Sequence, residues 1–424
     1  MTNVIWWLRR DLRLRDNAAL YHALRENEEV LPVFIFDTKI LDNLDDDHDA
    51  RVTFIYESLS LLKVELEKVG SSLMVYHGDP VQIYKKLKPK KIYTNNDYEQ
   101  YAIKRDEAVS KIPGVEFHSY KDQVIFEKNE VTKDDGKPYT VFTPYSHKLK
   151  SKLNKFYTKS YPTEKYFDNL VKTKPLQFPS LASLGFKKSP IDFPPRVIKQ
   201  DIVSKYHQTR DYPGLQGTSR LSVHLRFGTV SIRELVRLAE KKNDTWLNEL
   251  IWREFYQMIL WHFPHVEKGS FKPAYDHIQW RNNTEEFDAW CKGMTGYPIV
   301  DAGMRELEAT GFMHNRVRMV VASFLTKHLL IDWRWGEAWF AAKLLDYELA
   351  SNNGGWQWAA GSGCDAAPYF RVFNPALQTK KFDPDLVYIK KWIPELNTDK
   401  YPKPIVEHTF ARNRVLEAYK KALA

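Results

Sequence analysis

Residues 4–17 read VIWWLRRDLRLRDN, a short apolar run followed at once by a densely charged segment. The run has the composition of a buried β-strand. A Rossmann dinucleotide site would carry a G-x-G-x-x-G fingerprint directly after such a strand, and this sequence carries none there. The charged segment therefore predicts a loop that is held by ion pairs, and a pyrophosphate site in this turn is not expected.

Similar β-rich runs recur through the first hundred residues, and helical patterns such as residues 51–69 separate them. Strands that alternate with amphipathic helices are typical of a doubly wound α/β fold with a parallel sheet. The four runs lie at residues 4–7, 30–37, 73–77 and 91–95.

The chain has 424 residues, which is too long for one ordinary hydrophobic core. Six prolines between residues 161 and 196 indicate an extended connector, and helical periods dominate beyond residue 202. We therefore expect an α/β domain at residues 1–125, a connector at residues 126–200 and a mainly α-helical domain at residues 201–424.

The composition favours a polyanionic partner, because the net charge is +9 and the isoelectric point is near 9.1. Nucleic acid is the first expectation and an anionic membrane surface the second. No apolar stretch is long enough to span a bilayer, so a soluble cytoplasmic protein is expected. The two cysteines cannot form a disulfide framework, and no zinc-ligand spacing is present, so no metal site is expected. Eleven of the 13 tryptophans lie between residues 246 and 392, which indicates a role for indoles in this half.

Residues 352–365 read NNGGWQWAAGSGCD. The glycines predict a Gly-Gly turn, the asparagines offer donors and acceptors, and each indole offers a stacking face that can also be oxidised. This combination indicates a site for a planar, redox-active cofactor. A tightly turned core segment is the simpler alternative.

Three further clusters carry polar side chains in helical sequence. Residues 217–222, GTSRLS, suit an anion at a helix N-terminus, although ordinary capping would explain the same hydroxyls. In WLNELIWREFY, residues 246–256, Glu249, Trp252, Arg253 and Tyr256 share one helix face; an intrahelical pair of Glu249 with Arg253 is the alternative. In HNRVRM, residues 314–319, the arginines suit phosphate or an ion pair with Asp346, and His314 is assigned no role.

These motifs in this order resemble the photolyase and cryptochrome flavoprotein family, most closely its class I cyclobutane pyrimidine dimer photolyases. The likeness runs from WWLRRDLRLRDN through GTSRLS, ELIWREFY and HNRVRM to NNGGWQWAAGSGCDAAPYFRVFNP. It implies an α/β antenna domain and a helical domain that binds FAD. It also implies light-driven repair of pyrimidine dimers in DNA, by electron transfer from reduced FAD to a flipped-out dimer, by a protein expected to be a monomer.

Site residues follow from the resemblance position by position. Asn352 is expected at flavin N5, the Arg318–Asp346 pair beside the isoalloxazine, and Glu249 at the pyrimidine edge. An electron-transfer chain is implied for Trp280, Trp333 and Trp356. The implied FAD-binding residues are Tyr206, Thr218, Ser219, Arg220, Leu221, Ser222, Trp246, Glu249, Arg253, Asn315, Arg318, Asp346, Glu348 and Asn352. The implied DNA and lesion contacts are Arg210, Trp252, Arg316, Met319, Trp358, Arg371 and Gln378.

Two positions depart from the family pattern: Glu348 replaces a usual aspartate, and Cys364 replaces a common threonine. For a second, antenna chromophore, a deazaflavin, a flavin and an empty site all stay open. A cryptochrome photoreceptor is the main alternative, and Asn352, the two pocket tryptophans Trp252 and Trp358, and the chain end at Ala424 count against it. Asn315 stands where a (6-4) photolyase would carry histidine. A non-catalytic DNA-binding module would need only the basic surface.

Overall fold

The computed structural model describes residues 3–424, which form two compact units. The first unit comprises residues 3–131, 149–198 and 220–241, and the second comprises residues 132–148, 199–219 and 242–424. Both units therefore draw on separated parts of the chain. The domain boundaries expected from the sequence stay a prediction.

The first unit is built on a parallel sheet of five strands in the order β3-β2-β1-β4-β5. The predicted strands are confirmed within a residue or two, and a fifth strand follows them. The strands are β1 Val4–Leu8, β2 Val30–Asp37, β3 Met74–Gly78, β4 Lys91–Asn95 and β5 Glu116–Tyr120. This order starts at the centre of the sheet and winds outward in both directions, so the doubly wound α/β fold is confirmed.

Helices connect these strands and continue into the segments that follow. Those between strands are α1 Ala18–Glu26, α2 Thr38–Leu41, α3 Ala50–Lys68, α4 Pro80–Leu87 and α5 Gln100–Ser110. Further along the chain come α6 Phe142–Lys152, α7 Gln200–Thr209, α8 Ser222–Arg226 and α9 Ile232–Lys242. Short 3₁₀ helices occur at Thr163–Asn169 and Ala182–Leu184.

The charged loop after β1 is held by ion pairs, as predicted. Arg10 contacts Asp97 at 3.1 Å, and Arg13 contacts Asp122 at 2.6 Å. The Asp122 carboxylate is also bound by Arg233 at 2.7 Å. Because these side chains are largely buried, each charge requires its partner to remain in the fold.

From residue 242 onward the second unit is helical, with no strand among its described residues. Its helices are α10 Asp244–His262, α11 Thr284–Cys291, α12 Pro298–Thr310, α13 Asn315–Ser323, α14 Trp333–Lys343, α15 Leu349–Ala360, α16 Pro375–Phe382, α17 Val387–Trp392 and α18 His408–Leu423, with a π-helical turn at Phe324–His328. Two 3₁₀ helices, Pro264–Glu267 and Pro273–His277, follow α10. Across residues 3–424, no helix combines the length and apolarity needed to cross a bilayer.

Candidate flavin and DNA site

The glycine pair Gly354-Gly355 lies inside helix α15, so the predicted Gly-Gly turn is wrong. Packing explains why a helix forms despite the poor helix propensity of glycine. A Cβ at Gly354 would lie 2.1 Å from the ring of Tyr256, so only glycine allows these helices to approach so closely. At Gly355, by contrast, a Cβ would meet nothing within 4 Å.

Two ion pairs join α15 and the turn before it to neighbouring helices. Arg318 donates to both carboxylate oxygens of Asp346, at 2.9 and 3.1 Å, as the sequence predicted. Arg253 donates to Glu348 at 2.9 Å, and the side chains of this pair are only 11% and 6% exposed. Arg253 thus pairs with a residue on another segment of the chain. The alternative considered from the sequence was an intrahelical pair of Arg253 with Glu249.

Glu348 accepts further hydrogen bonds from Gln257 at 3.0 Å and from Ser351 at 3.1 Å. The longer glutamate in place of aspartate is therefore well accommodated. One buried oxygen of Gln257, Oε1, has no hydrogen-bond partner among the described residues, and neither has the buried indole nitrogen of Trp356. Buried polar atoms normally have a partner. These two atoms could therefore hydrogen-bond a bound group with donors and acceptors.

The amide of Asn352 is oriented by a residue that the sequence did not reveal. Its Nδ2 donates to the backbone carbonyl of Glu337 at 3.1 Å, and the neighbouring Asn353 donates to the Glu337 carboxylate at 3.0 Å. Burial raises the pKa of Glu337 to about 7. Glu337 lies 15 residues before Asn352 on a different helix, so no local spacing could have identified it.

Glu337→Gln is expected to change how stability depends on pH. The pKa of Glu337 rises from 4.5 to about 7 on folding, so between these values the folded state holds a proton that the unfolded state has released. The stability of the parent protein should therefore fall as pH rises through this window, by about 3 kcal/mol from this group, and then level off. Urea unfolding of parent and variant on both sides of the window measures this, with the exposed Glu285→Gln as the control. If the difference in free energy of unfolding between parent and variant does not vary with pH, the prediction is contradicted.

The GTSRLS segment does not begin a long helix. Helix α8, Ser222–Arg226, has five residues, and no side-chain hydrogen bond caps it at Leu221. Capping therefore does not account for the hydroxyls. Residues 218 and 219 belong to the second unit and residues 220–222 to the first. A phosphate site here stays a prediction.

The other expected flavin residues lie on helices of the second unit. Tyr206, near the end of α7, is partly exposed, and burial raises its pKa. Trp246 is buried at the start of α10, while Asn315 is exposed at the first position of α13. His314, to which the sequence analysis assigned no role, caps α13, since its Nδ1 accepts from the Arg316 amide at 3.2 Å.

Three charged residues expected to touch the lesion and DNA are connected in one row through a fourth, Asp211. Glu249 contacts Arg210 at 2.6 Å, Arg210 lies 4.0 Å from Asp211, and Asp211 contacts Arg316 at 2.6 Å. Burial raises the pKa of Glu249, although Arg210 opposes that shift. Asp211 was missed by the sequence reasoning because nothing near it in the chain marks it.

The remaining expected contacts surround this row with different exposures. Met319 lies beside Arg316, with its sulfur 3.6 Å from a guanidinium nitrogen. Gln378 is partly buried on α16, whereas Arg371 is exposed and makes no ion pair within residues 3–424. Trp358 is partly buried and packs against the main core of the second unit.

Trp333 and Trp356 are both buried in one core cluster, and Trp280 packs against it while remaining partly exposed. The electron-transfer chain through these three indoles stays a prediction. Gly336 allows a close approach, since a Cβ there would lie 2.1 Å from the Trp356 ring. Trp290, which the sequence reasoning did not include, lies 6.0 Å from Trp356 between ring centroids.

Two family models match the chain. DNA photolyase matches residues 4–165, and the FAD binding domain of DNA photolyase matches residues 246–399. A deoxyribodipyrimidine photo-lyase of Halobacterium salinarum is 37% identical over 99% of each chain. The fold and the matched family models are thus those of FAD-binding proteins with an α/β unit. The chain belongs to the DNA photolyase family, which confirms the resemblance, and FAD is the cofactor of this enzyme.

Two solved structures are similar over nearly the whole chain. An archaeal photolyase from Sulfolobus tokodaii, described with two FAD molecules, is 36% identical with a TM-score of 0.86, and the match covers 99% of each chain. A cryptochrome from Synechocystis is 27% identical with a TM-score of 0.84, again over 99% of each chain. Fold similarity alone therefore does not separate repair from light sensing.

Proposed function

We propose that this enzyme repairs cyclobutane pyrimidine dimers in DNA by a light-driven electron transfer to a flipped-out dimer. The observation that carries the proposal is the row Glu249, Arg210, Asp211 and Arg316, which lies in the same unit as Trp252 and Trp358. A flipped dimer needs aromatic surfaces to stack on, a polar group for its base edges and cations for its phosphates.

FAD would be held by the ion pairs Arg318–Asp346 and Arg253–Glu348, with Asn352 oriented by Glu337 and the remaining expected flavin residues around them. Reduced FAD bound there would supply an electron for splitting the dimer and recover it afterwards, so the overall reaction would be redox-neutral. Trp356, Trp333 and Trp280 would deliver electrons that convert oxidised FAD to this form.

The chain's own residues would bind and orient the dimer. Flipping costs roughly a few kcal/mol, less at a damaged site. Stacking on Trp252 and Trp358 at about 1–3 kcal/mol per base is enough to offset this cost. Glu249 would hydrogen-bond the pyrimidine edge, at one end of the row that also holds Arg210. Met319 would add an apolar contact, while Arg210, Arg316, Arg371 and Gln378 would contact the strand.

A second chromophore is also part of the proposal, and the α/β unit would serve as the antenna domain. Support comes from the Sulfolobus tokodaii photolyase, which is described with two FAD molecules, with the implication of a novel light-harvesting cofactor. For this chain a deazaflavin, a flavin and an empty site remain the alternatives. Mass spectrometry of the chromophores released from the purified protein distinguishes them.

The test compares light with dark. Purified protein with chemically reduced FAD is mixed with DNA that contains cyclobutane dimers, and the remaining dimers are counted after illumination. Loss of dimers in light only is the expected result. If light reduces FAD in a sample that starts oxidised, but dimers persist in the repair assay, the repair proposal fails and the cryptochrome-type photoreceptor is favoured. Binding to undamaged and damaged DNA alike, without bound FAD, would favour the non-catalytic module.

A further inference from the structure

Trp252 is stacked against a phenylalanine from a distant part of the chain. The ring centroids of Phe142 and Trp252 lie 3.6 Å apart, and the ring planes differ by only 4°. Phe255 meets the same indole at 5.7 Å, edge to face, and Tyr256 meets it at 5.5 Å with a 33° tilt. Phe142 thus stacks on one face of the indole, while the Trp252 side chain as a whole stays partly exposed.

The backbone of Phe142 is itself anchored to the last residue of the NNGGWQWAAGSGCD segment. Its backbone N–H donates to Oδ2 of Asp365 at 3.0 Å. The following turn is tied to helix α10, because Tyr145 contacts Phe255 at 5.2 Å and Ser146 donates to Asn248 at 3.2 Å. All of these residues belong to the second unit.

Phe142 therefore connects the two segments that carry the predicted stacking indoles. Trp252 is on α10, and Asp365 lies seven residues after Trp358. An unsupported tryptophan on a helix surface can adopt several rotamers, and ordering it costs binding free energy each time a ligand is bound. A ring stacked on one face removes that cost in advance and leaves the indole oriented for a base.

We propose that Phe142 is a positioning residue for lesion recognition, which holds Trp252 in its stacking orientation and is anchored by Asp365. This inference rests on the proposed function. It assigns a role to the segment at residues 132–148, in which no site residue was expected from the sequence. The geometry also predicts that the effect of Phe142 is specific to damaged DNA, because phosphate contacts lie on other residues.

The first experiment measures binding of the FAD-loaded protein to an oligonucleotide with one cyclobutane dimer and to the same sequence undamaged. Phe142→Ala should weaken binding to the dimer roughly three- to tenfold, as expected for one aromatic pair, and leave undamaged DNA unaffected. The dependence of log Kd on log salt should keep its slope, since no phosphate contact is lost. Phe142→Tyr should restore binding, and Phe142→Leu, which keeps bulk without a ring, should not.

A double-mutant cycle then tests whether Phe142 acts through Trp252. In a Trp252→Ala background, Phe142→Ala should have no further effect on dimer binding. A full, additive loss in that background would overturn the proposal, as would equal weakening for damaged and undamaged DNA. Unchanged FAD content in all variants checks that the fold is intact.

A readout without DNA keeps this proposal separate from the proposed function. Fluorotryptophan is incorporated, and the fluorine signal of Trp252 is assigned by its disappearance in Trp252→Phe. Phe142→Ala should shift and broaden that signal, while Phe142→Tyr should not. If the parent protein shows no preference for dimers, the proposed function fails. An unchanged Trp252 signal in Phe142→Ala overturns the positioning role whatever the DNA result.

Discussion

Trp356→Phe is expected to lose most of the light-driven reduction of bound, oxidised FAD, while repair by chemically reduced protein is retained. Indole is an oxidisable donor and a phenyl ring is a far poorer one, so the first step of the predicted chain would be blocked. Trp356 is only 2% exposed and packs edge to face against Phe340 at 5.0 Å. Phenylalanine keeps an aromatic ring in this core, so the fold should survive the change.

The measurement follows the loss of oxidised-flavin absorbance under blue light with an external reductant present. Trp290→Phe is the matched control, because Trp290 is also fully buried and touches Trp356 but lies outside the predicted chain. Trp290→Phe should reduce FAD at nearly the parent rate. Equal rates for Trp356→Phe and the parent would refute the chain. A slow Trp290→Phe would move the electron route to that residue.

The parts of the fold that the sequence predicted well are those where local pattern and tertiary packing agree. The β-rich runs at residues 30–37 and 91–95 were predicted as strands, and both lie in the parallel sheet with most of their residues buried. The Arg318–Asp346 pair was one of two possibilities for the arginines of HNRVRM and was implied by the family resemblance, and the pair is present.

What the sequence could not give are contacts whose partners are far apart in the chain. Glu337, Asp211 and Phe142 became visible only through the hydrogen bond to Asn352, the ion pair with Arg316 and the stack on Trp252. The glycine pair was misjudged for the same reason. The low helix propensity of glycine favours a turn at Gly354-Gly355. In the fold both glycines are helical, and the absence of a side chain at Gly354 leaves room for the Tyr256 ring of helix α10.

Arg253→Met should destabilise the protein by roughly 3–5 kcal/mol, because it leaves a buried carboxylate without this cationic partner. The Arg253–Glu348 pair joins residues 95 positions apart, and both side chains are almost fully buried. If the pair also holds FAD, as proposed, the variant should retain much less of it after purification. Urea unfolding of the FAD-free proteins measures the first effect, and the ratio of flavin to protein absorbance measures the second.

Two further variants separate charge from packing. Arg253→Lys keeps a cation and should recover part of the stability. Combining Arg253→Met with Glu348→Gln removes the buried charge, while the amide oxygen still accepts from Gln257 and the amide nitrogen donates to the Ser351 hydroxyl oxygen, so the double variant should be more stable than Arg253→Met alone. FAD retention should stay low in that double variant if the pair contacts the cofactor. Full retention of FAD in the double variant would mean that Arg253 and Glu348 serve the fold only. If the losses of stability in the two single variants simply add in the double variant, the buried-charge explanation is contradicted.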